Sequence, residues 1–217
     1  MATDILPDPV NKINAAGDAD PNGKAGPGFA KIKFRSSYQT QVSRTISGRG
    51  VAASPGFHMW EFDINYNPIT REEFEPVGAF LEDRNGRLKP FFVILPQYSL
   101  PRDSTLAGTI NTSAALAEGS TLITHTGRTA GNFSVGDFIN FVDASDSFHL
   151  KAYKVVAVPS TTTIKISPPL VRATASGSNI RYINTKFRVI QKSDVIEYDL
   201  DTDNLYQFSL SLEEIQP

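Results

Sequence analysis

Cysteine is absent from this 217-residue chain, which excludes a disulfide scaffold, a cysteine nucleophile and a thiolate metal site. Neither sign of charge dominates: 21 Lys and Arg stand against 23 Asp and Glu, a formal net of −2. Such a balance offers no electrostatic footprint for nucleic acid or anionic lipid. No apolar run approaches the roughly 18 residues of a membrane span, so no membrane partner is expected. The opening "MATDILPDPVNK" lacks a basic stretch followed by an apolar one, so no secretory leader is expected either.

Catalytic signatures are missing too. His58, His125 and His149 lie far apart, with no HExxH spacing to suggest zinc. "GSTLITHTG" holds a serine and a histidine but no G-x-S-x-G elbow. "SGRGVAASPG" contains G-x-G without the strand–turn–helix frame of a dinucleotide site. Acids gather in "DASD" (143–146) and "DLDTDN" (199–204). The second has the composition of a calcium-loop opening but lacks the glycine and terminal glutamate at the required offsets. Turns between strands explain both, since Asp and Asn favour turn positions. No catalytic residue, metal or cofactor is therefore expected, and the chain is read as a non-enzyme.

What the sequence does carry is β patterning. "FAKIKFRSSY" (29–38) places Ala30, Ile32 and Phe34 on one side and Lys31, Lys33 and Arg35 on the other. "QTQVSRTISGRG" (39–50) is polar and weakly alternating, a strand running into a loop. Next, His58, Trp60, Phe62, Ile64 and Tyr66 alternate with Met59, Glu61, Asp63 and Asn65. One face of that strand is aromatic and the other acidic.

Asn67-Pro68 ends the strand, because proline removes a ladder donor and constrains its predecessor. Thr70 and Glu73 then form a capping box. Phe74, Val77, Phe80 and Leu81 make one apolar helical stripe. Pro76 should kink that helix or restart it, and Asn85-Gly86 should stop it. "PFFVILP" reads as a strand buried on both sides.

Residues 1–28 are rich in Gly, Pro, Asp and Asn. They should stay unstructured alone, or become ordered as an extended arm against a neighbouring subunit through Ile5, Leu6, Val10 and Ile13. Residues 104–183 are dense in Thr, Ser, Gly and Ala, with short β signals about every ten residues, the mark of a small β-barrel or sandwich. Strands return near 186–191, 194–200 and 205–215, and they could not form a stable sheet alone. The expected fold is mainly β: a discontinuous barrel or sandwich with one helix, residues 29–103 and 184–217, interrupted by an inserted all-β domain, 104–183.

Three blocks in order resemble the distal tail or baseplate hub proteins of tailed bacteriophages. "WEFDINYNPITREEFEPVGAFLEDRNGRLKPFFVILP" is similar to their opening region: an aromatic strand, a Y-x-P-x-T turn, a helix ending in AFL, a Gly-Arg turn and an F-x-x-x-LP strand. "SVGDFINF", "TTIKISPPL" and the segments between resemble their inserted β domain, and "FRVIQKSDVIEYDLDTDNLYQFSLSLEEI" resembles their closing strands.

The resemblance implies a tail-tube-like split domain. Six copies would close into a ring in the virion's tail tip, assembled in the host cytoplasm. Such a ring joins the tail tube protein to baseplate hub, wedge or fibre proteins, and DNA passes through it without specific binding. On that reading Glu61 and Asp63 face the lumen or a neighbouring subunit. Val42 in the "QTQVSRTIS" stretch, and Tyr206, Phe208, Leu210 and Leu212, are candidate inter-subunit residues, because ring closure must satisfy sheet edges. The alternatives are a carbohydrate-binding module, with Tyr153 and Tyr182 the aromatic residues able to form a platform in 104–183, or a peripheral wedge or adaptor.

Overall fold

The structure is a computed structural model. It describes all residues except 1–3, 13, 15–19, 54–56, 144–145, 202 and 217; Ile13, one of the expected arm anchors, lies outside the described residues. The fold is mainly β, with one helix. Two compact units divide the chain: Met1–Phe91 with Val189–Ile215, and Phe92–Arg188 with the last two residues.

The first unit is built on a sheet. β1 (Phe29–Tyr38) runs antiparallel to β4 (His58–Tyr66), and between them β2 (Gln41–Arg44) pairs with β3 (Gly50–Ala53). After β4 come α1 (Arg71–Asp83) and β5 (Phe91–Ile94). The alternation of β4 translates directly into burial: His58, Trp60, Phe62, Ile64 and Tyr66 are buried, while Met59, Glu61 and Asp63 are half-buried and Asn65 is exposed. The aromatic face packs on itself, and Tyr66 stacks on Phe208, which meets Phe74 of α1. Phe34 meets Trp60 and Phe62 with ring centroids 5.0 and 5.1 Å apart.

α1 begins at a closed capping box. The Glu73 carboxylate accepts the Thr70 amide and the Thr70 hydroxyl, each at 3.0 Å, which satisfies one of the orphan donors at a helix start. The helix runs as one element through Pro76, rather than restarting there. Asn85 and Gly86 take the left-handed conformation, φ 53° and 61°, and end it as expected. Phe74, Val77, Phe80 and Leu81 are buried.

The N-terminal segment differs from both expectations. Leu6 is only 1 % exposed, and Arg84 binds Asp4 at 2.8 Å, so the arm is anchored on its own chain. Val10, by contrast, is exposed.

The second unit holds β6 (Ala107–Thr112), β7 (Leu122–Ala130), β8 (Phe138–Val142), β9 (Tyr153–Ser160), β10 (Thr163–Ser167) and β11 (Asn179–Arg181). These close into a barrel in the order β10-β7-β6-β11-β8-β9. Its interior is filled by buried Ile110, Ile123, Ile139, Tyr153, Val155 and Ile164 among others, as a barrel of this size requires. Gly108 and Gly127, at φ 115° and 83°, sit where β6 and β7 shift register. A Cβ on either would run into the facing backbone.

β12 (Lys186–Gln191), β13 (Tyr198–Leu200) and β14 (Tyr206–Glu214) follow. The sheet order is β1-β4-β14-β12-β5, with β13 also on β14. The final strand, 206–214, thus lies between strands from both ends of the chain, Leu212 facing Phe62 on one side and Gln191 on the other.

Three local expectations change. Phe91 and Val93 are buried but Phe92 and Ile94 are half-buried, so β5 alternates rather than being buried on both sides. The expected strand 194–200 is confined to 198–200. The units divide at 91/92 and 188/189 rather than at 103/104 and 183/184. The reason is that 95–103 is tied to the second unit: Ser99 Oγ donates to the Thr185 carbonyl at 2.7 Å, and Arg102 N donates to Asp137 at 2.9 Å.

Candidate assembly surface

Glu61 and Asp63 stand on the solvent side of the β1-β4-β14 sheet, where cross-strand register sets their neighbours. Arg35 lies opposite Glu61, Lys33 opposite Asp63, and Ser211 faces Asp63 from β14. Arg35 Nη1 reaches Asp63 at 2.7 Å, and its Nε is 3.4 Å from Glu61. Lys192 closes on Glu61, and Ser211 Oγ donates to Asp63 at 2.9 Å.

The Lys192 bond, reinforced by Arg35, holds the Glu61 carboxyl below its ordinary range. Burial opposes ionisation of Asp63, but Ser211 and Arg35 outweigh it and leave that carboxyl lowered as well. Exposed Lys31 and Lys33 share this face. It is a mixed, ion-paired surface with a cationic margin, not the acidic wall that the alternation of β4 suggests alone.

Of the candidate inter-subunit residues, those on β14 are spoken for. Phe208 and Leu210 are buried and Leu212 is 0 % exposed. Phe208 stacks on Tyr66 with centroids 4.0 Å apart, and half-buried Tyr206 stacks on Phe74 at 4.6 Å. The strand is also hydrogen-bonded on both sides: β4 and Ile69 flank it on one, β12 and β13 on the other. The 205–214 stretch therefore has neither a free apolar face nor a free edge to offer a neighbour. Its clean alternation records burial in its own sheet.

The margins of the sheet lie elsewhere. Among the described residues β1 pairs with β4 alone, so the alternate residues whose amides and carbonyls turn away from β4 line that margin. Beyond it, among the described residues, β2 and β3 pair with each other and with no further strand. Every residue from Tyr38 to Ala52 is exposed, including Val42 at 67 % and Ile46 at its tip. Sequence reasoning assigned 39–50 to a strand and loop and missed the hairpin. The signal was Gly48 at φ 81°, closing a turn in which Thr45 bonds to Arg49.

Two of the histidines are tied to neighbouring hydroxyls. His149 binds the Tyr153 hydroxyl at 2.8 Å and the Thr174 hydroxyl at 3.0 Å, and burial lowers its pKa. His58 binds Ser36 Oγ at 2.9 Å. A cleft of about 320 Å³ in the second unit is lined by Asn140, Asp143, Asp146, His149, Arg181 and Lys186 among others. Asp146 is paired with Arg172 at 2.6 Å, and Asp143 accepts the Ala175 amide at 2.8 Å. In the Asp-rich stretch 199–204, Asp201 accepts the Asp203 amide. Among the described residues no group of three or more His, Asp or Glu gathers as a cation site.

No protein-family model matches the chain, and no curated protein does.

Proposed function

We propose that the chain is a structural protein of a phage tail tip. Its copies close into a ring, hexameric in this reading, that joins the tail tube to baseplate or fibre proteins. The observation that carries the reading is the β2–β3 hairpin at the margin of the sheet, with every side chain from Tyr38 to Ala52 exposed. A monomer gains nothing from ordering such a ribbon outside any core, whereas a ring uses it to satisfy sheet margins between subunits. The order of the three sequence blocks adds support.

Glu61 and Asp63 are not placed on the channel wall, because the exposed lysines beside them would retain phosphate. The carbohydrate-binding alternative loses its platform, since Tyr153 and Tyr182 are buried in the barrel.

Mass measurement of the purified chain by light scattering, with electron microscopy, tests the proposal. Six chain masses and a ring support it. A particle that stays at one chain mass at the highest attainable concentration overturns it.

A further inference from the structure

Two exposed features of the first unit are complementary in charge and lie at opposite ends of β4. At its His58 end is the β2–β3 hairpin. Between Arg35 and Glu61 the only charged residues are Arg44 and Arg49, both exposed beside Val42, Ile46 and Val51. At the Tyr66 end is β13. From Ser193 to Asn204 the chain holds five acids and no base, among them Asp199 on the strand and Asp201 just after it. Val195, Tyr198 and Leu200 are exposed in the same stretch.

Among the described residues β13 pairs with β14 alone, which leaves its other edge as the place where a strand could be added. At about 3.4 Å per residue, nine-residue β4 separates the two features by some 27 Å. A hairpin leaving the His58 end thus starts far from its own β13.

We propose that the basic hairpin of one copy docks on the acidic, apolar β13 edge of the next. The inference rests on the self-assembly proposed above and names its contact. The contact is heterologous, head to tail, and such a contact generates a closed ring or an open filament according to the rotation it imposes. Apolar side chains supply the buried area on both sides. Opposite charges set direction and exclude hairpin-to-hairpin pairing.

Charge reversal in two halves tests it. R44E/R49E makes hairpin and β13 edge both acidic, and E197K/D199K/D201K, which leaves three lysines against Asp194 and Asp203, makes both basic. Each variant alone should assemble at least tenfold less tightly than the unaltered chain, because every contact becomes like-charged. An equimolar mixture should recover assembly, since each hairpin then meets an edge of opposite sign. That recovery also shows that both variants are folded. If either variant assembles alone as the unaltered chain does, or if the mixture assembles no better than its components, the inference is overturned. Assembly of the unaltered chain in that experiment keeps the ring proposal standing whatever the variants do; its failure to assemble removes both.

Discussion

Leu212→Ala tests whether the two ends of the chain form one cooperative sheet. Leu212 is fully buried, faces Phe62 on β4 and Gln191 on β12, and lies about 150 residues after Phe62. Removing three carbons forfeits roughly 2.4 kcal/mol at about 0.8 per methylene. A partly collapsed cavity adds about 1 kcal/mol, for a total near 3.5, within the usual range for buried leucine truncation. At about 1.4 kcal/mol per tenfold, amides that exchange through opening of the sheet should exchange about 300-fold faster. Hydrogen exchange read by mass spectrometry resolves this by peptide. Peptides from 58–66 and 206–214 should accelerate together, and barrel peptides from 122–130 and 153–160 should not. Acceleration confined to 206–214 would refute the shared sheet, and equal acceleration in the barrel would refute the division into two units.

Acid should weaken the ion-paired face. Glu61 and Asp63 are lowered in the folded chain, so their contribution is present above about pH 4 and is lost as pH falls through their folded values. E61Q/D63N should reduce stability by about 1 kcal/mol at pH 7, and denaturant titration should show the gap closing as pH falls below the ordinary carboxylate range. Burial lowers His149, and His125 likewise, so the unfolded chain takes their protons first. Barrel protection, corrected for intrinsic exchange, should fall as pH drops below about 6.5, and His149→Gln should flatten that slope; a slope unchanged by the substitution would contradict the assignment.

The parts of the fold legible in the sequence are those where one face of an element is buried. β4 alternates because water lies on one side and the buried core of the first unit on the other, and the Thr70–Glu73 cap is local chemistry that tertiary context left alone. β6, "AGTINT", escaped notice because its place is set by closure with β7 and β11, not by its own polar, glycine-containing composition. The same alternation misled at Phe208, Leu210 and Leu212. A period of two says that one face is covered, and it is silent on whether the cover comes from the same chain or another. The hairpin carried the weakest pattern, since a ribbon exposed on both faces has no burial to imprint a period.

The place of β14 in its sheet has a consequence for biosynthesis. The strand that completes the first unit leaves the ribosome after all six barrel strands. The nascent chain therefore holds a finished barrel while the β4 edge at Phe62 and Ile64 still waits for its partner strand, a sticky interval of the kind that chaperones shield. Because the first unit matures only once β14 is made, premature association between half-made copies would engage that bare edge instead of the finished surface.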